Sequence, residues 1–126
     1  MGVFSYEDIG YAEIFIFDRF YIKQIREGAI IAKKETTRFK TIIKNHFKGK
    51  NMVYISNRTT SYSVNPLAYK EASKIKNLAG IAIIIANESM RAAVEYEKEF
   101  YDGPYAIFKN LSNAINWANT ILKKSK

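Results

Sequence analysis

The chain has 126 residues, 48% of them hydrophobic, and it contains no cysteine. This length fits one domain, 1–126, with enough apolar side chains for a core, and the lack of cysteine excludes disulfides, thiol catalysis and cysteine-bound metals. The formal net charge is +8, and residues 33–50 are a densely basic stretch. A basic surface attracts nucleic acid, anionic lipid or acidic proteins, but no recognition motif accompanies the charge.

The N-terminal residues "MGVFSYEDIGYAE" show no basic segment followed by an apolar run, so no secretory signal is expected. The longest apolar run, residues 81–86, is too short to cross a bilayer. We therefore expect a cytoplasmic protein that could touch a membrane surface without being integral to it.

The first predicted element is a β-hairpin. Residues 12–17 and 20–25 are rich in β-branched and aromatic side chains, and Asp18-Arg19 separates the two runs. The aromatic side chains of this hairpin leave two uses open, a homodimer surface and the lining of an apolar pocket.

A helix is predicted from Lys33, because apolar side chains then recur at helical spacing. The members of this stripe are Phe39, Ile42, Ile43, His46 and Phe47. Gly49 is expected to end the helix. His46 is the only histidine of the chain, and its place on the stripe indicates a structural, partly buried residue rather than a base or a ligand.

The remaining chain alternates strands with helices. The predicted strands are 52–56, 80–86 and 105–108, and the predicted helix starts are Asn65-Pro66, Asn87 and Asn110. The side chains expected to face the core from these helices include Ala68, Ala72, Ile75 and Ala79, then Met90, Ala93 and Val94, then Leu111, Ala114, Ile115, Ala118, Ile121 and Leu122. The order β-β-α-β-α-β-α-β-α predicts an α/β fold with a mostly parallel central sheet covered by helices.

Four segments resemble SpoIIAA-like domains of the STAS superfamily. They are "EGAIIAKKETTRF", "NMVYISNR", "AGIAIIIAN" and "AIFKNLSNAINWANTIL". The last is similar to the strand, polar turn and closing helix of that class, and "YISNR…SYSV" resembles a Bacteroidetes-like bacterial subgroup of it. The resemblance covers about residues 11–122 and implies the STAS (SpoIIAA-like) fold with a non-enzymatic, regulatory role.

In STAS antagonists of sigma-factor control, a partner kinase phosphorylates a Ser or Thr that follows a central strand. The equivalent stretch here is residues 57–65, and it makes Ser61 and Ser63 the candidate phosphosites. The family pattern of Asp-Ser, a small residue and Gly is missing, and this departure weighs against a kinase switch. The SpoIIAA-like class is also associated with lipophilic ligands bound between helices and sheet, which needs no phosphosite.

The stretch "YISNRTTSYSVNP" places a dense hydroxyl loop between a strand and a helix. Ligands of open α/β sheets bind at the carboxyl ends of strands, where helix N-termini favour anions, and an exposed Arg58 would add a bidentate fork for phosphate or carboxylate. The residues predicted to bind a protein partner or a small lipophilic or anionic ligand are Asn57, Arg58, Thr59, Thr60, Ser61, Tyr62 and Ser63. The competing interpretation is that they only cap the helix and close the turn.

No catalytic constellation is predicted. His46 is separated from the hydroxyl loop, no GxSxG, Walker A or GxGxxG motif is present, and Glu95 with Glu99 would form a solvated helix face. We therefore predict a protein that is not an enzyme and that needs no metal or cofactor. The alternative function is a basic-surface protein on anionic lipid or nucleic acid, with nucleic acid disfavoured because no RNA-binding motif accompanies the aromatic residues.

Overall fold

The computed structural model describes residues 4–27, 33–59 and 66–124, without the side chains of 33–36 and 66–68. The strands are β1 (Ser5–Asp8), β2 (Ala12–Ile16), β3 (Phe20–Ile25), β4 (Met52–Arg58), β5 (Leu78–Ile85) and β6 (Tyr105–Phe108). The helices are α1 (Lys33–Phe47), α2 (Pro66–Ala72), α3 (Arg91–Lys98) and α4 (Leu111–Lys124), with a 3₁₀ turn at Glu88–Met90. The predicted α/β class, and the alternation of strands with helices after the hairpin, are confirmed.

The described strands form one mixed sheet in the order β1-β2-β3-β4-β5-β6. Neighbouring strands are antiparallel from β1 to β3 and parallel from β3 to β6. The parallel strands therefore all end at one edge of the sheet, named here the carboxyl edge, and all begin at the opposite amino edge.

Strand β1 was not predicted from the sequence. It pairs with β2 in antiparallel register, so that Tyr6 lies opposite Phe15. The strand has only four residues and alternates half-buried with exposed positions. Such a short edge strand lacks the apolar run by which the other strands were found.

The helices divide between the two faces of the sheet. On one face α1, α2 and α3 cover inward side chains such as Tyr21 and Ile83. On the other face α4 packs against Ile55 and Ala82 of the two central strands. The buried side chains of α4 are Ala114, Ala118 and Leu122, as the helical stripe predicts.

Some predicted inward positions are wrong. Helix α2 ends at Ala72, so Ile75 and Ala79 lie beyond it, in the turn and in β5. Ala93 and Leu111 are exposed. Ala93 lies outside the inward stripe that Val94 and Glu97 define on α3, and Leu111 is the first residue of α4. The predicted stop at Gly49 is confirmed, since α1 ends at Phe47 and Gly49 has φ of +85°. The predicted cap Asn65 lies outside the described residues.

Candidate functional site

The first three residues of the predicted loop do not form one surface. Strand β4 continues to Arg58, so Asn57 and Arg58 point to opposite faces of the sheet. Asn57 Nδ2 donates a hydrogen bond of 3.2 Å to Gln24 Oε1. Thr59 follows the strand and is exposed. The other predicted residues, Thr60, Ser61, Tyr62 and Ser63, lie outside the described residues, and with them both candidate phosphosites.

Arg58 is buried, with 3% of its surface exposed. Its guanidinium donates Nη1 to Glu97 Oε2 at 3.1 Å and Nη2 to Glu97 Oε1 at 2.9 Å. The expectation that Arg58 lies on the exposed sheet edge as a free fork for a ligand is therefore wrong. Its fork already holds a carboxylate that comes from α3.

Glu97 of α3 also binds a residue of a third element. Its Oε1, which accepts from Arg58, accepts another hydrogen bond of 2.6 Å from the hydroxyl of Tyr69 in α2. Burial, with the nearby Tyr105 and the bond to Glu97, raises the pKa of Tyr69 well above its ordinary value, so Tyr69 stays a donor. The network therefore ties β4, α2 and α3 together beneath the carboxyl edge.

Sequence reasoning missed Glu97, although it treated Glu95 and Glu99 correctly as exposed. Glu97 lies three residues after the buried Val94, so it belongs to the inward stripe of α3. A carboxylate on an apolar stripe is the signal that would have found it, because a buried carboxylate requires a partner.

Lys23 is the second buried cation on this face, with 8% of its surface exposed. Its Nζ lies 3.9 Å from the ring centroid of Phe39 and 4.7 Å from that of Tyr11. Within the described part of the chain, these aromatic rings are its only partners, and no carboxylate or hydrogen-bond acceptor reaches it. Burial lowers the pKa of Lys23 to about 7.

Sequence reasoning missed Lys23 as well. In "FYIKQI" it alternates with Tyr21 and Ile25, which both face the core. The two-residue period of a strand therefore places Lys23 on the same buried face as its neighbours, and that inward lysine was the available signal.

Aromatic side chains continue from Lys23 along the same face. Tyr21 and Tyr54 lie opposite each other on β3 and β4, with stacked rings 5.1 Å apart. Two residues farther along the same strands, and on the same face, Lys23 lies opposite the buried Ser56. The carboxyl ends of β3 and β4 thus combine one buried ammonium with an aromatic floor, which suits an anion that carries an apolar body.

A hollow of about 120 Å³ lies farther along the carboxyl edge. Its lining residues are Ile85, Ala86, Asn87, Glu88 and Lys109. The hollow lies between the ends of β5 and β6. The helices that follow these strands, α3 and α4, cover opposite faces of the sheet, and open α/β sheets bind ligands where the helices change faces in this way. Its charges are already paired, because Glu88 contacts Lys109 at 2.8 Å and Arg91 at 2.7 Å, and these bonds lower the pKa of Glu88 to about 2.

His46 lies at the amino edge, away from these groups. Its Nε2 is 3.0 Å from the carbonyl oxygen of Phe17, and the residue is half-buried, as the structural interpretation predicts. Among residues 4–27, 33–59 and 66–124, no three His, Cys, Asp or Glu side chains are grouped to hold a metal ion. None of the helices in these ranges combines the length and apolar character needed to cross a bilayer.

The chain was compared with protein-family models, with curated proteins and with solved structures, and none of the three comparisons found a match.

Proposed function

We propose that this protein is a binding module that holds a small anionic ligand with an apolar body at the carboxyl edge, through Lys23, and catalyses no reaction. The observation that carries this proposal is the Lys23 ammonium, which is buried with only the rings of Tyr11 and Phe39 as described partners. A buried charge costs several kcal/mol unless a counter-charge or hydrogen bonds compensate it. A carboxylate or phosphate on the ligand would supply that missing partner.

The surrounding side chains favour an amphiphile over a bare anion. The rings of Tyr11 and Phe39 and the stacked pair of Tyr21 and Tyr54 make the surroundings of the cation aromatic. Ligand sites of this kind are lined by aromatic residues and contain few polar groups, which fix the ligand's orientation. Arg58 has a different role in this proposal, because Glu97 neutralises it and the pair holds β4 against α3.

The resemblance to SpoIIAA-like domains supports a regulatory use of such binding. The parallel order of β3 to β6, with a helix after each strand, fits that resemblance. In this proposal a protein partner recognises the hydroxyl-rich sequence 59–63 that follows β4, and the ligand at Lys23 changes the surface that the partner contacts. Phosphorylation of Ser61 or Ser63 would be a second input to that surface.

Isothermal titration with decanoate tests the proposal, with decanol as the uncharged probe of equal chain length. We expect decanoate to bind and decanol to bind at least about tenfold more weakly, because only the carboxylate can pair with Lys23. Lys23→Met keeps the length and apolar stem of the side chain and should abolish the preference for decanoate. The matched control is Lys40→Met, which removes an exposed lysine of α1 and should leave binding unchanged.

Two results would contradict the proposal. If Lys23→Met binds decanoate as the unaltered protein does, the ammonium is not the anion site. If decanoate and decanol both fail to bind while the protein remains folded by circular dichroism, the buried lysine is stabilised by the aromatic rings alone.

A further inference from the structure

The amino edge of the sheet collects the basic ends of several elements. Each of α1, α2 and α3 starts at the carboxyl edge and returns the chain to the amino edge. Hydrogen bonds from Arg19 Nε to Asn51 O (3.0 Å) and from Asn77 Nδ2 to Lys50 O (2.9 Å) join three turns there. These are the β2–β3 turn, the α1–β4 loop and the α2–β5 loop, which therefore form one continuous surface.

Helix α4 ends at the same edge. The ring of Trp117, in the middle of α4, lies against Gly80 near the start of β5, where an added Cβ would be only 3.0 Å from the ring. The last turn of α4, with Lys123 and Lys124, therefore reaches the amino edge. This close approach also explains why the strand has a glycine at this position.

Charges at this edge are strongly unbalanced among the described residues. The basic side chains are Arg19, Lys44, Lys48, Lys50, Lys70, Lys74, Lys76, Lys98, Lys123 and Lys124, and the acidic ones are Asp18, Glu71, Glu95, Glu99 and Asp102. Of the lysines, Lys50 pairs with Asp18, and Lys74 pairs with Glu71 of α2. Basic residues from separate segments of the sequence therefore lie together at the amino edge and account for much of the chain's net charge of +8.

An aromatic cluster with one exposed member, Phe4, adjoins the basic edge. Ser5 pairs with Ile16, so the preceding Phe4 lies beside Phe17 and Phe20 at the hairpin turn. The centroids of Phe4 and Phe17 are 5.1 Å apart, those of Phe17 and Phe20 are 4.7 Å apart, and Phe4 is 59% exposed. The edge thus combines lysines with an aromatic cluster in which Phe4 is exposed and Phe17 and Phe20 are half-buried.

We propose that the amino edge docks on an anionic lipid surface, with Phe4 entering the headgroup region and the lysines facing the lipid charges. Aromatic side chains favour the membrane interface, and clustered lysines next to them are attracted to anionic leaflets. Nucleic acid fits less well, because Phe17 and Phe20 stack on each other instead of offering open faces to bases. A second copy of the chain fits less well, because two equally basic edges repel each other.

Co-sedimentation with vesicles of phosphatidylcholine, with or without about 30% phosphatidylserine, tests this proposal. We expect binding only to the anionic vesicles, lost when salt is raised from about 50 mM to about 500 mM. Lys44→Glu combined with Lys76→Glu should weaken binding at least about tenfold. The matched control, Arg38→Glu with Lys40→Glu, makes the same change of charge at exposed positions higher on α1 and should weaken binding far less.

Phe4→Ala tests the aromatic part of the surface, and it should reduce binding to anionic vesicles several-fold. Leu111→Ala changes an exposed apolar residue at the carboxyl edge; it is the control and should have no effect.

The proposal is overturned if both charge reversals weaken vesicle binding equally, or if the protein binds a single-stranded oligonucleotide but not the vesicles. It is also overturned if light scattering shows a dimer that Phe4→Ala dissociates. Lys23→Met should leave vesicle binding intact, so the proposal of a ligand at Lys23 and the proposal of membrane docking at the amino edge can be tested separately.

Discussion

Two buried cations lie on the same face of adjacent parallel strands, and only one of them has a described carboxylate partner. Arg58 at the end of β4 forms a bidentate pair with Glu97, which also accepts a hydrogen bond from Tyr69. Lys23 near the end of β3 is surrounded by aromatic rings. Both are more than nine-tenths buried, so burial does not distinguish them.

The difference separates a structural role from a binding role. Arg58 has its counter-charge within the chain, and its ion pair with Glu97 holds α3 against β4. Lys23 bears the cost of burial with no described counter-charge, and the pKa lowered by that burial shows how unfavourable its charged form is. A group in this condition is poised to gain a partner from outside.

The largest expected effect comes from breaking the complete pair. Glu97→Ala leaves the Arg58 guanidinium buried and without its carboxylate, and it also removes the acceptor of Tyr69 OH. We expect the free energy of unfolding to fall by about 3–5 kcal/mol, measured by urea denaturation. Glu95→Ala on the exposed side of the same helix is the control and should change it by less than about 0.5 kcal/mol. Equal losses in the two variants would mean that the buried pair contributes no special stability.

The second effect has the opposite sign. Lys23→Met removes an uncompensated buried charge and keeps the apolar contacts of its stem, so the protein should become more stable. The expected gain is about 2 kcal/mol near pH 6, where Lys23 is mostly charged. Chemical denaturation at that pH measures it. A loss of stability would show that the aromatic rings compensate the ammonium fully.

The pH dependence of stability sharpens the same contrast. The unfolded chain keeps a proton on Lys23 up to about pH 10.5, whereas the folded chain releases it above about pH 7. Because the unfolded state binds more protons between these values, stability should rise with pH, by at most about 1.4 kcal/mol per pH unit. Denaturation midpoints at about pH 7 and about pH 9 should show this rise in the unaltered protein and not in Lys23→Met. An identical slope in both would assign the titration to another group.

The smallest effect is expected on the other face of the sheet. Asn57→Ala removes the hydrogen bond to Gln24 between two half-buried side chains. The loss should be about 1 kcal/mol, and decanoate affinity should not change, because Asn57 points away from Lys23. A change in decanoate affinity would indicate that Asn57 belongs to the binding site, as the sequence predicted.

The sequence predicted the elements well and their buried polar groups poorly. Apolar runs and helical stripes placed β3, α1, β5 and α4, because burial of apolar surface dominates the energy of each element. The short strand β1 carries little apolar surface and was missed. Lys23 and Glu97 follow the same strand and helix periods as their apolar neighbours and are buried with them, but only the apolar residues of these periods were assigned to the core. Arg58 was assigned to the loop because the strand was predicted to end at residue 56, whereas β4 continues to Arg58. Its partner Glu97 lies 39 residues away in the sequence, on a helix.

An NMR titration of the Lys23 side chain, followed through its Cε chemical shift and assigned with Lys23→Met, tests the binding role most directly. We expect a pKa of about 7 in the free protein. With decanoate bound, the pKa should rise by at least about one unit, because the carboxylate stabilises the ammonium. A pKa near the ordinary value of 10.5 in the free protein, or one that decanoate leaves unchanged, would contradict a Lys23 that awaits an anionic ligand.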